Sequence, residues 1–131
     1  MFLRSFGAVS AGYTVMVFIV ICYFNIMRAF LPVHFSSQPM QPMPLGWQIT
    51  ILCINLLGAA AGGGVAARIA PNLPFRHGYW LSLVILLLGL ISVPVAYING
   101  EAPWLGLAGG FLGSFSCLAA AWIVSIKFKL Q

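Results

Sequence analysis

The sequence carries very little charge, and acidic residues are the scarcest of all. Glu101 is the single acidic residue, and only 5% of the 131 residues are charged. A soluble domain usually carries about 25% charged residues, so this chain cannot cover a water-exposed surface with polar groups. One carboxylate cannot supply paired acid–base chemistry, and no nucleophile–base pair, metal cluster or phosphate-binding loop is recognisable. We therefore expect a protein that is not an enzyme and has no cofactor of its own.

Cysteine is also scarce, and its placement argues against a disulfide framework. Cys22, Cys53 and Cys117 all lie inside apolar runs. Their number is odd and no C-x-x-C spacing occurs. We interpret them as small, buried apolar residues.

Basic residues are few and scattered, which excludes a nucleic-acid-binding surface. The net charge of +5 comes from six basic residues. They form no basic stripe with interleaved aromatic residues, the pattern that follows a phosphate backbone. Most of them flank apolar runs, where they act as topology signals.

Apolar residues make up 62% of the chain, and they fall into four long runs. A helix of about 20 residues rises roughly 30 Å, enough to cross the hydrocarbon core of a bilayer. No ten-residue alternation of apolar and polar residues indicates a β-barrel. The sequence predicts an all-α integral membrane protein, a single domain over residues 1–131 with four transmembrane helices in one bundle. The predicted spans are residues 6–27, 47–67, 79–98 and 103–126, with a proline-rich outer loop at 31–46.

The run at 6–27 is too long for the core of a signal peptide, and no small-x-small cleavage site follows it. We expect it to stay as the first span and to end before Pro32. Pro94 should kink the third span, and Pro103 occupies the first position of the fourth helix, which favours proline.

Basic residues predict the orientation. Four spans place both termini and the connection at 68–78 on one side, and five of the six basic residues lie there. Basic residues stay cytoplasmic, so we predict both termini inside, in a bacterial inner membrane. Aromatic residues form two interfacial belts in this arrangement. The inner basic residues are Arg4, Arg68, Arg76, Lys127 and Lys129; the outer belt holds Trp47, Tyr97 and Trp104, and the inner belt Tyr79, Trp80 and Trp122.

Small residues recur at helical spacing in three spans, a pattern that lets helix backbones approach closely in lipid. We expect the patches at 7–12 and 58–67 to pack together, since both fall in the cytoplasmic half. The glycines of span four fall in the outer half, where spans one and three offer no matching run. That face could receive a partner helix, a lipid or a cofactor ring, or be filled by bulky side chains. The predicted helix-packing residues are Gly7, Ala8, Ala11, Gly12, Gly58, Gly62, Gly63, Gly64, Gly106, Gly109, Gly110 and Gly113.

A few polar side chains complete the set of candidates. Asn55, near the middle of span two, should form a helix-to-helix hydrogen bond or line a solute path, and we prefer the first. Arg28 and Glu101 could pair at the outer surface, but we prefer the interpretation that both face headgroups and water. His34, Met40 and Met43 offer ligands that suit Cu(I), but packing within the loop is the stronger interpretation.

The length and the layout of four spans resemble the small multidrug resistance transporters. Members of that family couple transport to an acidic residue within the first span. Residues 6–27 contain no acidic residue, so the resemblance does not extend to proton coupling.

Three functions fit this pattern. The first is a small non-catalytic subunit or scaffold that associates through glycine-rich helix faces with itself or with other membrane-protein chains. The second is an oligomeric channel or carrier for a neutral or lipid-like solute. The third is an accessory subunit that holds a redox cofactor or pigment. Abundant packing motifs and little chemistry favour the first, with membrane lipids around it and no nucleic-acid partner.

Overall fold

In a computed structural model the described residues form four long α-helices. The structure describes residues 2–30, 44–69, 74–98 and 103–129. Each helix is long and apolar enough to cross a membrane, so the described residues form an all-α fold that is consistent with an integral membrane protein. The helices are α1 (Phe2–Phe30), α2 (Leu45–Ile69), α3 (Pro74–Ile98) and α4 (Pro103–Lys129).

Proline positions account for several helix boundaries. α1 ends at Phe30, two residues before Pro32, and the backbone preceding a proline disfavours helix. α3 and α4 each begin on a proline, Pro74 and Pro103, where the missing N–H costs no hydrogen bond. Pro94 lies inside α3, which continues to Ile98.

The helices extend further than the predicted spans. The third helix begins at Pro74 rather than at residue 79, and the fourth reaches Lys129 rather than residue 126. A helix satisfies its own backbone hydrogen bonds, so it need not stop where the apolar run stops. The connection predicted at 68–78 is correspondingly shorter.

Contacts between named residues define how the helices run. Gly12 of α1 faces Gly62 of α2, while Met16 faces Gly58, so these two helices are antiparallel. Leu81 of α3 also reaches Gly12. α1 therefore packs against both α2 and α3.

The other helices form the remaining contacts of the bundle. Gly89 of α3 meets Gly110 of α4 and Ile85 meets Gly113, so α3 and α4 are antiparallel. Gly113 of α4 lies near Ala59 of α2, and Cys117 of α4 lies against Gly63 of α2. Residue numbers rise together in the two contacts, so α2 and α4 run in the same direction.

The core consists mostly of small side chains. It lies in the half of the bundle that contains the start of α1 and the end of α2. Val9, Tyr13 and Met16 pack against it from α1. Van der Waals contact between closely spaced helices holds such a core together in lipid. Its buried members are Ala59, Ala66, Leu81, Ile85 and Cys117.

The outside of the bundle is covered by large apolar side chains. Phe115 is 76% exposed, and Phe18, Leu57 and Ile91 project from the other three helices. A soluble monomer rarely exposes apolar surface on this scale. Lipid tails solvate it without cost, which is consistent with an integral membrane protein.

Candidate functional site

The predicted small-residue patches of α1 and α2 meet at Gly12 and Gly62. A methyl group on either glycine would lie 2.6 Å from the carbonyl oxygen of the other. Ala8 is fully buried one turn before Gly12. Gly58 lies against Met16, with its Cβ position 3.4 Å from the Met16 carbonyl oxygen. These contacts bring the backbones of α1 and α2 close together.

Cys117 joins α4 to two neighbouring helices. A methyl group on Gly63 of α2 would collide with the Cys117 carbonyl oxygen and lie 2.8 Å from its Sγ. The Sγ donates a hydrogen bond to the Gly78 carbonyl oxygen of α3 at 3.6 Å. The thiol is free and fully buried, so its role here is packing between three helices.

Gly89 is the residue of α3 that meets the glycine face of α4. A Cβ on Gly89 would collide with the Gly110 Cα and lie 2.9 Å from the Gly106 carbonyl oxygen. Gly113 faces Ile85 instead: a Cβ built on Gly113 would lie 3.2 Å from the Cγ2 atom of Ile85. The sequence pattern does not single out Gly89, because the prediction rested on runs of glycines and α3 has one glycine at the depth of the α4 glycines. Counting residues from the facing ends of the predicted spans 79–98 and 103–126 would have placed Gly89 at a depth similar to that of Gly110.

Beside this contact, an open cavity of about 200 Å³ lies between α2, α3 and α4, with Met16 of α1 at its edge. We call it the glycine cavity, because glycines of α4 form one wall. Gly109 lies on this wall, and no heavy atom from another helix in the described part of the chain comes within 4 Å of its Cβ position. The cavity lining comprises Met16, Asn55, Ala59, Ile85, Leu88, Gly89, Ser92, Leu105, Gly106, Gly109, Gly110 and Gly113.

Asn55 lines the glycine cavity rather than bridging two helices. Its side-chain amide forms no hydrogen bond with any residue that the structure describes. The preferred expectation of a helix-to-helix hydrogen bond is therefore not met within those residues. The physical reason is that glycines of α4 line the cavity with Asn55, and a glycine has no side chain to offer.

Ser92 is the second polar residue at the cavity. Its Oγ donates to the Gly89 carbonyl oxygen of its own helix at 2.7 Å, which leaves the hydroxyl oxygen able to accept. None of the described lining residues is charged. The arrangement provides hydrogen-bonding groups for an uncharged molecule and no counter-ion for a charged one.

Two predicted helix-packing residues besides Gly109 stay uncovered. At Gly7 of α1 and Gly64 of α2, no heavy atom of another helix within the described ranges comes within 4 Å of the Cβ position. Close packing at the Cβ position therefore does not explain either glycine among the described helices.

The remaining candidates give no further site. Arg28 is exposed in the last turn of α1. Its proposed partner Glu101 lies outside the described residues, as do His34, Met40 and Met43. Within the described ranges, no group of three His, Cys, Asp or Glu residues could hold a metal ion.

Comparison of the chain with known protein families, curated proteins and solved structures gives no match.

Proposed function

We propose that this protein is a small, non-catalytic subunit or scaffold of a membrane assembly, and that another transmembrane helix packs on its uncovered glycines. The observation that carries the proposal is the contrast between Gly62 and Gly64 of α2. A Cβ on Gly62 would meet the backbone of α1, whereas no atom of another described helix lies within 4 Å of the Cβ position of Gly64. The backbone of a partner helix would pack directly against Gly64, as the backbone of α1 packs against Gly62.

The surroundings of Gly64 support this use. Ala60 precedes it by four residues and is half-buried, which makes a small-x-x-x-small pair on one helix face. A pair of this kind lets a second backbone come close enough for extensive van der Waals contact and weak Cα–H···O bonds. Gly7 offers another open small position on α1.

The proposed orientation places both termini in the cytoplasm of a bacterial cell. Arg68 and Arg76 flank the connection between α2 and α3, on the side that also receives the end of α4. Exposed Trp80 and Trp122 lie towards that same end of the bundle, where interfacial aromatic side chains are favoured. Gly64 then lies in the inner half of the membrane, and a partner would approach at that depth.

The partner is another membrane-protein chain or a second copy of this one. Neither Gly7 nor Gly64 introduces a charged or reactive group into the contact, so the association would rest on shape. A scaffold of this kind holds its partner chains in place and catalyses no reaction itself.

The proposal is tested by native mass spectrometry of the protein gently extracted from its own membrane. We expect the wild-type chain in a complex, with other polypeptides or with itself. Gly64→Leu should release it as a single chain, because a bulky side chain would separate the two backbones. Ala119→Leu is the matched control, since Ala119 is exposed on α4 and the same side chain there should leave the complex intact.

The purified Gly64→Leu chain should unfold at the wild-type temperature, because its new side chain meets no described helix. A wild-type chain found only as a single polypeptide would overturn the subunit proposal. A complex that survives Gly64→Leu would show that the partner binds elsewhere.

A further inference from the structure

The glycine cavity has the features of a binding site, and its location separates it from the uncovered Gly64. It lies near Asn55 and Gly109, towards the opposite end of the bundle from Arg68. Its volume of about 200 Å³ is larger than the roughly 150 Å³ of an apolar protein cavity that binds benzene, and, unlike that enclosed cavity, it opens to the surface of the bundle. A single six-membered ring with one or two substituents fits such a space.

We propose that the glycine cavity binds a small, uncharged ring molecule dissolved in the membrane, through one hydroxyl or carbonyl group that hydrogen-bonds to the Asn55 side chain. Asn55 offers both a donor and an acceptor, and neither is used by a described residue. A polar group without a partner in an apolar environment is costly. A guest that supplies the partner removes that cost.

The wall of α4 favours a flat guest. Gly109 presents backbone to the cavity, and no atom of another described helix lies within 4 Å of its Cβ position, so a planar ring can lie against the helix there. Because that position is open, the small size of Gly109 is not explained by a neighbouring helix among the described residues. Leu88 and Leu105 supply apolar contact at the edges.

The lining also selects against other occupants. A charged molecule would find no counter-ion among the described lining residues. A lipid tail would fill space but leave the Asn55 amide without a partner. Water would satisfy the amide but gain nothing from the apolar edges, and it is the outcome that the test must distinguish.

The test is equilibrium dialysis of the purified chain in detergent micelles against radiolabelled p-cresol and toluene, with empty micelles as the reference. The two probes share a methyl-substituted ring and differ by one hydroxyl group. We expect saturable binding of one p-cresol per chain, about 3–10-fold tighter than toluene, as one added hydrogen bond predicts. Asn55→Leu should bring the two affinities together, because leucine keeps the volume and removes the hydrogen bond.

A second variant tests the location without touching Asn55. In Gly109→Leu the new side chain would occupy the cavity, because no atom of another described helix lies within 4 Å of the Cβ position of Gly109. This variant should abolish saturable binding of both probes. Ala119→Leu, at an exposed position of α4 outside the cavity lining, should bind both probes as the wild-type chain does.

Three results would overturn the proposal. Uptake of p-cresol equal to that of empty micelles would mean that the cavity holds only water or detergent. An unchanged preference for p-cresol in Asn55→Leu would remove the assigned hydrogen bond. Saturable binding that persists in Gly109→Leu would place the probe elsewhere. None of these results depends on whether the chain has a protein partner.

Discussion

Gly12 and Gly62 face each other across the α1–α2 contact in a reciprocal arrangement. A Cβ atom built on Gly12 lies 2.6 Å from the Gly62 carbonyl oxygen, and a Cβ atom built on Gly62 lies 2.6 Å from the Gly12 carbonyl oxygen. Both obstructing atoms belong to helix backbone, so no side-chain rotation can make room. One methyl group on either residue must therefore move a whole helix.

We expect Gly12→Ala to lower the free energy of unfolding by about 1–3 kcal/mol, the usual cost of overpacking a close contact. Gly7→Ala is the matched control on the same helix, because no other described helix lies within 4 Å of its Cβ position. Its effect should stay within about 0.5 kcal/mol. Unfolding in mixed micelles with increasing denaturing detergent gives both values. Equal losses would show that the Gly12 contact relaxes at no cost.

The contact between α3 and α4 gives a second test. Gly89→Ala would drive a methyl group into the backbone of Gly110, so we expect a loss of about 1–3 kcal/mol in the same unfolding measurement. Gly109→Ala adds the same methyl group one residue from Gly110, into open space, and should have little effect. If Gly109→Ala is as damaging as Gly89→Ala, the two helices do not pack as described.

The existence and number of the helices could be predicted from the sequence, because the thickness of a bilayer sets the length of an apolar run. The meeting of Gly12 with Gly62 could be anticipated as well, since antiparallel spans place residues of similar depth together. The start of α3 at Pro74 could not, because the polar turn that contains Arg76 and His77 continues the helix beyond the apolar residues.

The glycine cavity was not predictable, because a uniformly apolar span contains no sign of which face points inwards. Lipid and protein interior are equally apolar. The 3.6-residue repeat of apolar residues, which identifies the buried face of a soluble helix, is therefore missing. The environment of Asn55 depends on the rotation of α2 and α4 about their axes. That rotation comes from contacts such as Gly63 with Cys117, which no single sequence feature specifies.

Two serines of α4 allow a hydrogen bond between helices to be measured. Ser116 Oγ donates to the Leu56 carbonyl oxygen of α2 at 3.0 Å. Ser114 Oγ donates within its own helix, to Phe111. We expect Ser116→Ala to lower the free energy of unfolding by about 0.6–1.7 kcal/mol, the range for side-chain hydrogen bonds between membrane helices.

Ser114→Ala should change the free energy of unfolding by less than about 0.5 kcal/mol, because a bond to the same helix adds nothing to helix association. A Ser116→Ala chain as stable as Ser114→Ala would contradict a contribution of this bond to the α2–α4 contact.

The proposed orientation can be tested with one cysteine at either end of α2. Leu45 is 64% exposed and Ile69 is 51% exposed, so neither substitution disturbs the core. Ile69 follows Arg68, and basic residues at the end of a span remain in the cytoplasm. We therefore expect a membrane-impermeant maleimide to label Leu45→Cys in intact cells and Ile69→Cys only after permeabilisation. The wild-type chain, whose three cysteines all lie within the helices, is the reference for background labelling. Labelling of Ile69→Cys in intact cells, with Leu45→Cys protected, would reverse the orientation and place Gly64 in the outer half of the membrane.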